Sequence, residues 1–163
     1  MRGSASPLNL PTREHLSPID TPADVYPSLD DPRSFEFKTL QAAFARTGGL
    51  ATGDQVAQRL LVRSDQAISL IARMIVKRQV VAFEFRASIL IPLFQFDIPQ
   101  MRVRPEVSAL LLELNDVLDD WDIALWFSEP NDWLRGSAPV DSFLTDPEAT
   151  YKSARTVRYV MSG

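Results

Sequence analysis

Residues 121–141 constrain the fold of this chain more than any other stretch, because helix starts and stops alternate there at short intervals. The segment reads Trp-Asp-Ile-Ala-Leu-Trp-Phe-Ser-Glu-Pro-Asn-Asp-Trp-Leu-Arg-Gly-Ser-Ala-Pro-Val-Asp. Trp121, Ala124, Leu125 and Trp126 keep the i, i+3, i+4 spacing that sets apolar side chains on one helix face, and Asp119 or Asp120 supplies a cap at its start. Pro130 stops that helix. Asn131 can cap a short second turn carrying Trp133 and Leu134, Gly136 suits the left-handed residue that closes it, and Pro139 suits the first position of a third helix. All three tryptophans of the chain fall in this stretch. Rings of that size dominate cores and interfaces alike, so residue type alone does not separate the two roles.

On the N-terminal side, Val107, Leu110, Leu111, Leu114, Val117 and Leu118 predict an amphipathic helix with Glu113 and Asp116 on its polar side. Beyond the motif, Asp146, Pro147 and Glu148 give an N-cap, a first-turn proline and an early acidic residue for a final helix over 147–161. Ala154 and Val157, with Met161 or Val160, are expected to face inward. Tyr151, Arg155, Arg158 and Tyr159 are left partly outward.

The run Trp-x-x-Ala-x-Trp-Phe, then Pro-Asn-x-x-Leu-x-Gly, then Pro-x-Asp resembles the C-terminal domain of the MbcA/ParS/Xre antitoxin family. The resemblance covers residues 103–163 and rests on Trp121, Ala124, Trp126, Asn131, Leu134, Gly136, Pro139 and Asp141. It implies a short helical domain that binds and silences a cognate toxin of the RES type, an ADP-ribosyltransferase-like enzyme, by covering its active site. Most matching residues are assigned to folding that domain. The residues left to contact a toxin are the exposed ones: Trp133, Arg135, Arg155, Arg158, Tyr159 and Met161.

The N-terminal side has a different character. Residues 1–34 hold six of the twelve prolines and no apolar periodicity, and are expected to form a disordered tail. Over 35–47, Phe37, Leu40, Ala43 and Phe44 predict a first helix, stopped by Gly48 and Gly49. Thr52 can cap a second over 53–61, burying Val56, Ala57, Leu60 and Leu61. Residues 62–65 form a short polar turn. A third helix over 66–78 is expected to bury Ile68, Ile71, Ala72 and Ile75. Two helices joined so closely make a helix-turn-helix. The β-branched and aromatic runs 80–85 and 89–96, separated by Arg86-Ala87-Ser88, read as a hairpin whose second strand lies at an edge or ends at Pro92. Residues 50–96 resemble the excisionase-like winged helix family in order and spacing. As a DNA reader the segment would use Arg63, Ser64, Gln66 and Ser69 at the start of the recognition helix, Arg73 one turn on, and Arg86 and Ser88 on the wing.

Charge follows the same division. The total is -4, but residues 36–104 carry a net +5 and residues 105–163 a net -7. A basic middle beside an acidic end fits two surfaces with different partners. Cysteine is absent, which excludes disulfides and thiolate metal sites and fits a reducing compartment. The one histidine, His15, stands without grouped acidic partners, and no phosphate-binding glycine loop, nucleophile elbow or paired-histidine metal motif occurs. No apolar run approaches the ~20 residues of a membrane span.

The expected protein is therefore mainly α: a Pro-rich tail (1–34), a winged helix-turn-helix with a short β-hairpin (35–98) that binds DNA or dimerises, and a helical toxin-binding domain (103–163). Pro99 and Pro105 bracket a basic connector between the last two. It is expected to be a cytoplasmic homodimer without catalysis, cofactor or metal, acting as an antitoxin on a toxin and on operator DNA. The alternative is a stand-alone transcription regulator whose C-terminal domain oligomerises.

Overall fold

The computed structural model describes residues 31–61 and 66–163. The expected tail up to residue 30 and the turn 62–65, including Arg63 and Ser64, lie outside the described residues. What is described is mainly helical, with seven α-helices and a small antiparallel sheet.

Helix α1, Pro32–Ala45, starts three residues before the apolar pattern does because Pro32 occupies its first turn, where a missing N–H costs nothing. Leu40 and Phe44 point inward. Gly48 and Gly49 end it at φ of 107° and 78°, and Gly49 N–H donates to the Phe44 carbonyl at 2.8 Å. A short strand, β1 (Leu50–Thr52), follows, which sequence pattern does not announce. Thr52 then caps α2, Gly53–Leu61, reciprocally: Gln55 N–H donates to Thr52 Oγ1 at 3.3 Å and Thr52 N–H to Gln55 Oε1 at 2.9 Å.

Helix α3, Ala67–Val76, is rotated relative to expectation. Ala67 and Ile71 are buried and Met74 and Ile75 half-buried, whereas Ile68, predicted inward, is 65% exposed, and Ala72 faces out. Ser69 and Arg73 mark the polar side, and the middle of the broad apolar arc opposite them, at Ala67 and Ile71, is the part that packs against α2.

Strands β2 (Phe83–Phe85) and β3 (Ser88–Pro92) form the hairpin, turned by Arg86 and Ala87 alone, both at positive φ (48° and 59°). Ser88, expected in the loop, pairs with Phe85. β3 is the central strand of the order β1-β3-β2, and its last residue is Pro92, opposite Leu50. The second predicted strand thus stops at Pro92, and Leu93–Gln95 make a 3-10 turn. Residues 80–82 stay outside the ladder because their partner is a side chain. Fully buried Gln95 accepts from Val81 N–H at 2.7 Å, and its amide donates to the carbonyls of Val81 and Pro92, each at 2.8 Å.

The expected connector is a small hairpin, β4 (Phe96–Asp97) with β5 (Arg102–Val103). Four helices follow: α4 (Pro105–Leu114), α5 (Asp120–Ser128), α6 (Pro139–Ser142) and α7 (Pro147–Ser162). Their caps match the sequence reading. Asp119 accepts from Asp122 N–H, Asn131 from Trp133 N–H and Asp146 from Ala149 N–H, at 2.8, 2.9 and 3.1 Å. Gly136 is left-handed (φ 82°), and so is Arg135 before it (φ 57°). α4 ends at Leu114, short of Val117 and Leu118.

Two apolar clusters result. The smaller joins β1, α2, α3 and β3 through Val56, Leu60, Ile71 and Ile91. The larger draws on both sides of the 96–103 hairpin: Leu40 and Phe44 from α1, Phe83 and Phe94, then Leu110, Leu114, Trp121, Phe127, Phe143 and Ala154. Phe94 sits at its centre, with ring centroids 5.5 Å from Phe44, 4.9 Å from Phe127 and 5.5 Å from Phe143.

Candidate functional site

The sequence proposes two surfaces, and the fold assembles them unequally. On the first, Gln66, Ser69 and Arg73 are exposed at α3, and Arg86 and Ser88 are exposed at the β2–β3 turn. Arg86 leans back over Phe85, 5.1 Å from the ring centroid. The outer side of α3 is not purely polar. Ile68 is 65% exposed, Leu70 37% and Val76 82%.

Arg78, just past α3, is unavailable to a partner. It adopts φ 50° at the end of the helix and donates to Asp120 Oδ1 at 2.8 Å, to the Asn115 carbonyl at 2.5 Å and to the Leu118 carbonyl at 2.7 Å. The last two carbonyls lie just beyond α4, where a cation complements the helix end. Asn115 returns a bond to the Arg78 carbonyl at 2.9 Å. A basic residue that composition counts toward a polyanion surface is therefore consumed in tying α3 to α4.

The second surface is better gathered. Arg155, Arg158 and Tyr159 line one cavity of about 540 Å³ on α7, with Tyr151, Ser162 and, from α4, Glu113. Glu113 organises it: Tyr151 OH donates to one carboxylate oxygen at 2.6 Å and Arg158 to the other at 3.2 Å, and Arg158 also faces Asp116 at 3.9 Å. The Tyr151 hydrogen bond, reinforced by the charge of Arg158 and Arg155, holds the Glu113 carboxyl below its ordinary value despite some burial. The same bond pushes the Tyr151 phenol up. Arg158 is thus half committed within the chain, while Arg155 makes no ion pair with a described residue.

Met161 and Val160, one of them expected to face inward, are 59% and 67% exposed, which leaves Met161 with the outward toxin-contact residues. Thr150, Ser153 and Ala154 are buried on α7 and Val157 packs half-buried against the core, so Ala154 and Val157 face inward as expected, with α4 and the 3-10 turn Asp132–Leu134 as neighbours of the helix. Trp133 and Arg135 lie on and just after that 3-10 turn, and both are exposed, Trp133 by 67%. The three tryptophans have separate fates. Trp121 is buried and donates to Glu36 Oε2 at 2.7 Å, Trp126 is half-buried against Phe127 at 4.9 Å, and Trp133 is on the surface. Glu113, Tyr151 and Arg78 are the participants that sequence reasoning did not assign to these arrangements. Their partners lie 37 to 45 positions away in the chain, and no local pattern signals them.

Among the described residues there is no group of three or more His, Cys, Asp or Glu placed to hold a metal ion, and no helix is long and apolar enough to cross a membrane. No family model, curated protein or solved structure matches the chain.

Proposed function

We propose that this chain is a non-catalytic antitoxin that silences a RES-type, ADP-ribosyltransferase-like toxin by steric occlusion and binds operator DNA through a winged helix-turn-helix. One observation carries the toxin arm: the last turns of α7 leave Tyr159, Val160 and Met161 mostly exposed, with Arg155 beside them on the cavity where Glu113 holds Arg158, while buried Ala154 anchors the helix. A rigid helix offering exposed aromatic, apolar and cationic groups has the composition of an interface anchor, and occlusion asks nothing more of it. The motif of residues 121–141 supports the family reading. The winged arm is supported by the order α1-β1-α2-α3-β2-β3 and the sheet order β1-β3-β2, with Ser69 and Arg73 on α3 and Arg86 at the hairpin tip.

A second reading has its own observation. Exposed Ile68, Leu70 and Val76 give the outer side of α3 an apolar character that fits a protein contact better than a groove of DNA, as a regulator that associates through α3 would need.

Co-purification of the untagged full chain from its host, with mass spectrometry of whatever elutes with it, tests the proposal. A stoichiometric small enzyme, lost on removing residues 159–163 while the chain stays folded, supports the antitoxin. A chain that elutes alone as a DNA-shifting dimer overturns it in favour of the regulator. For the DNA arm, Arg73→Ala should lower affinity for duplex and reduce the salt slope by about 1. An unchanged slope removes Arg73 from the interface.

A further inference from the structure

A cleft of about 290 Å³ lies where the first turn of α1 meets the β2–β3 turn, and apart from Arg86 it belongs to neither surface above. It is lined by Asp31, Arg33, Ser34, Glu84, Phe85 and Arg86. Three features converge on it. First, it holds the start of a fourteen-residue helix whose N-cap, Asp31, makes no side-chain capping bond, although its carbonyl takes the Ser34 and Phe35 N–H groups at 2.9 and 3.3 Å. Second, Ser34 is only 6% exposed, and its Oγ is buried with no hydrogen-bond partner. A lone buried hydroxyl costs stability, so its retention points to an acceptor or donor that joins it from outside. Third, two guanidiniums flank the cleft, held by rings rather than by acids. Arg33 stands 4.9 Å from the centroid of Trp121 and Arg86 5.1 Å from that of Phe85, and neither makes an ion pair with a described residue. The rings are themselves braced, Phe85 stacking on Phe37 at 3.8 Å and 11°. A guanidinium stacked on a ring keeps its N–H groups free, in a planar fork that suits phosphate.

We infer that this cleft binds a phosphate group, taken up between Arg33 and Arg86 with the Ser34 hydroxyl and the start of α1 beneath it. Asp31 and exposed Glu84 oppose the anion, so binding is weak, in the millimolar range, and selects a phosphate that both guanidiniums can grasp over a simple halide. The phosphate is either free or part of a nucleic-acid backbone. The site does not depend on the toxin arm of that reading, since α7 takes no part in it, and it shares only Arg86 with the DNA arm.

The test is an amide-resolved NMR titration of the full chain with inorganic phosphate, against sodium chloride at matched ionic strength, and then with a short DNA duplex. Saturable shifts confined to residues 33–35 and 86, absent with chloride, are expected. Arg33→Gln and Arg86→Gln should each weaken them about tenfold. Ser34→Ala should weaken phosphate binding while leaving the melting temperature unchanged or higher, because it removes an unpartnered buried hydroxyl; this separates a ligand role from a folding role. If the duplex moves the same amides and displaces phosphate, the source is a nucleic-acid backbone; if it leaves them still, the site takes free phosphate. Shifts no larger than those of chloride, or unchanged binding in Ser34→Ala, overturn the assignment. Failure here leaves toxin co-purification untouched, and the reverse also holds.

Discussion

The junction around Phe94 and the polar edge of the face between α4 and α7 both tie helices to the rest of the molecule, by opposite means. At the first, Phe44, Phe94, Phe127 and Phe143 exclude water from a shared apolar volume. At the second, Glu113 collects a phenol and a guanidinium at the edge of an open cavity. Burial of apolar area is strong and non-directional, whereas a solvated ion pair is weak and directional. The difference teaches which parts of this chain can change partners. A molecule that hands a surface to another protein can surrender exposed polar bonds at small cost, but it cannot open its aromatic centre.

The largest expected effect lies at that centre. Phe94→Ala should lower the unfolding free energy by about 3–5 kcal/mol, measured by denaturant unfolding, since it removes a ring shared by α1, α5 and the end of α6. A loss below about 1 kcal/mol would mean that the centre is loosely packed and would break the comparison. Arg78→Ala comes next, at about 2 kcal/mol, because it strips charge-assisted bonds from the carbonyls of Asn115 and Leu118. Arg78→Lys should recover only part of this, as an ammonium does not reproduce the fork.

Smaller again is the α4–α7 face. Glu113→Gln should cost less than about 1 kcal/mol near neutral pH. Because the folded carboxyl lies below its ordinary value, its contribution is fully present above about 4.5, that ordinary value, and is lost as pH falls through the lower folded value. The Gln variant should therefore show a flatter decline of stability in that acid range than the parent, and a parallel decline would remove Glu113 from the fastening. Smallest of all, Tyr159→Ala with Met161→Ala should leave the melting temperature unchanged, since both side chains are mostly exposed. The same pair should release the co-purifying partner. Unchanged association would move the interface away from the end of α7.

These effects follow the line along which the sequence was legible. Punctuation was readable: Thr52, Asp119, Asn131, Asp146, Pro139 and Gly136 stand where the helix starts and stops require them, because caps and left-handed residues act within four positions of themselves. Faces were less so. The spacing sets Ile68 and Ala72 inward on a helix whose apolar arc is broad, and one of Met161 and Val160 inward on a helix whose last turn is mostly exposed. Partnerships across the chain were not legible at all. Nothing local joins Arg78 to Asn115, or Tyr151 to Glu113, and the cleft of Arg33, Ser34 and Arg86 exists only once β2 lies beside α1.

Gln95 carries one more consequence. The two-residue β2–β3 turn is made by Arg86 and Ala87, neither of which favours the positive φ it holds, so the hairpin draws on contacts beyond its turn to keep that pairing. Slipping the strands by one position would swap their two faces and also carry Val81 away from Gln95, stranding an amide and two backbone groups where water does not reach. Gln95 thus favours the observed alignment alongside the buried side chains of the hairpin, Phe83 and Ile91.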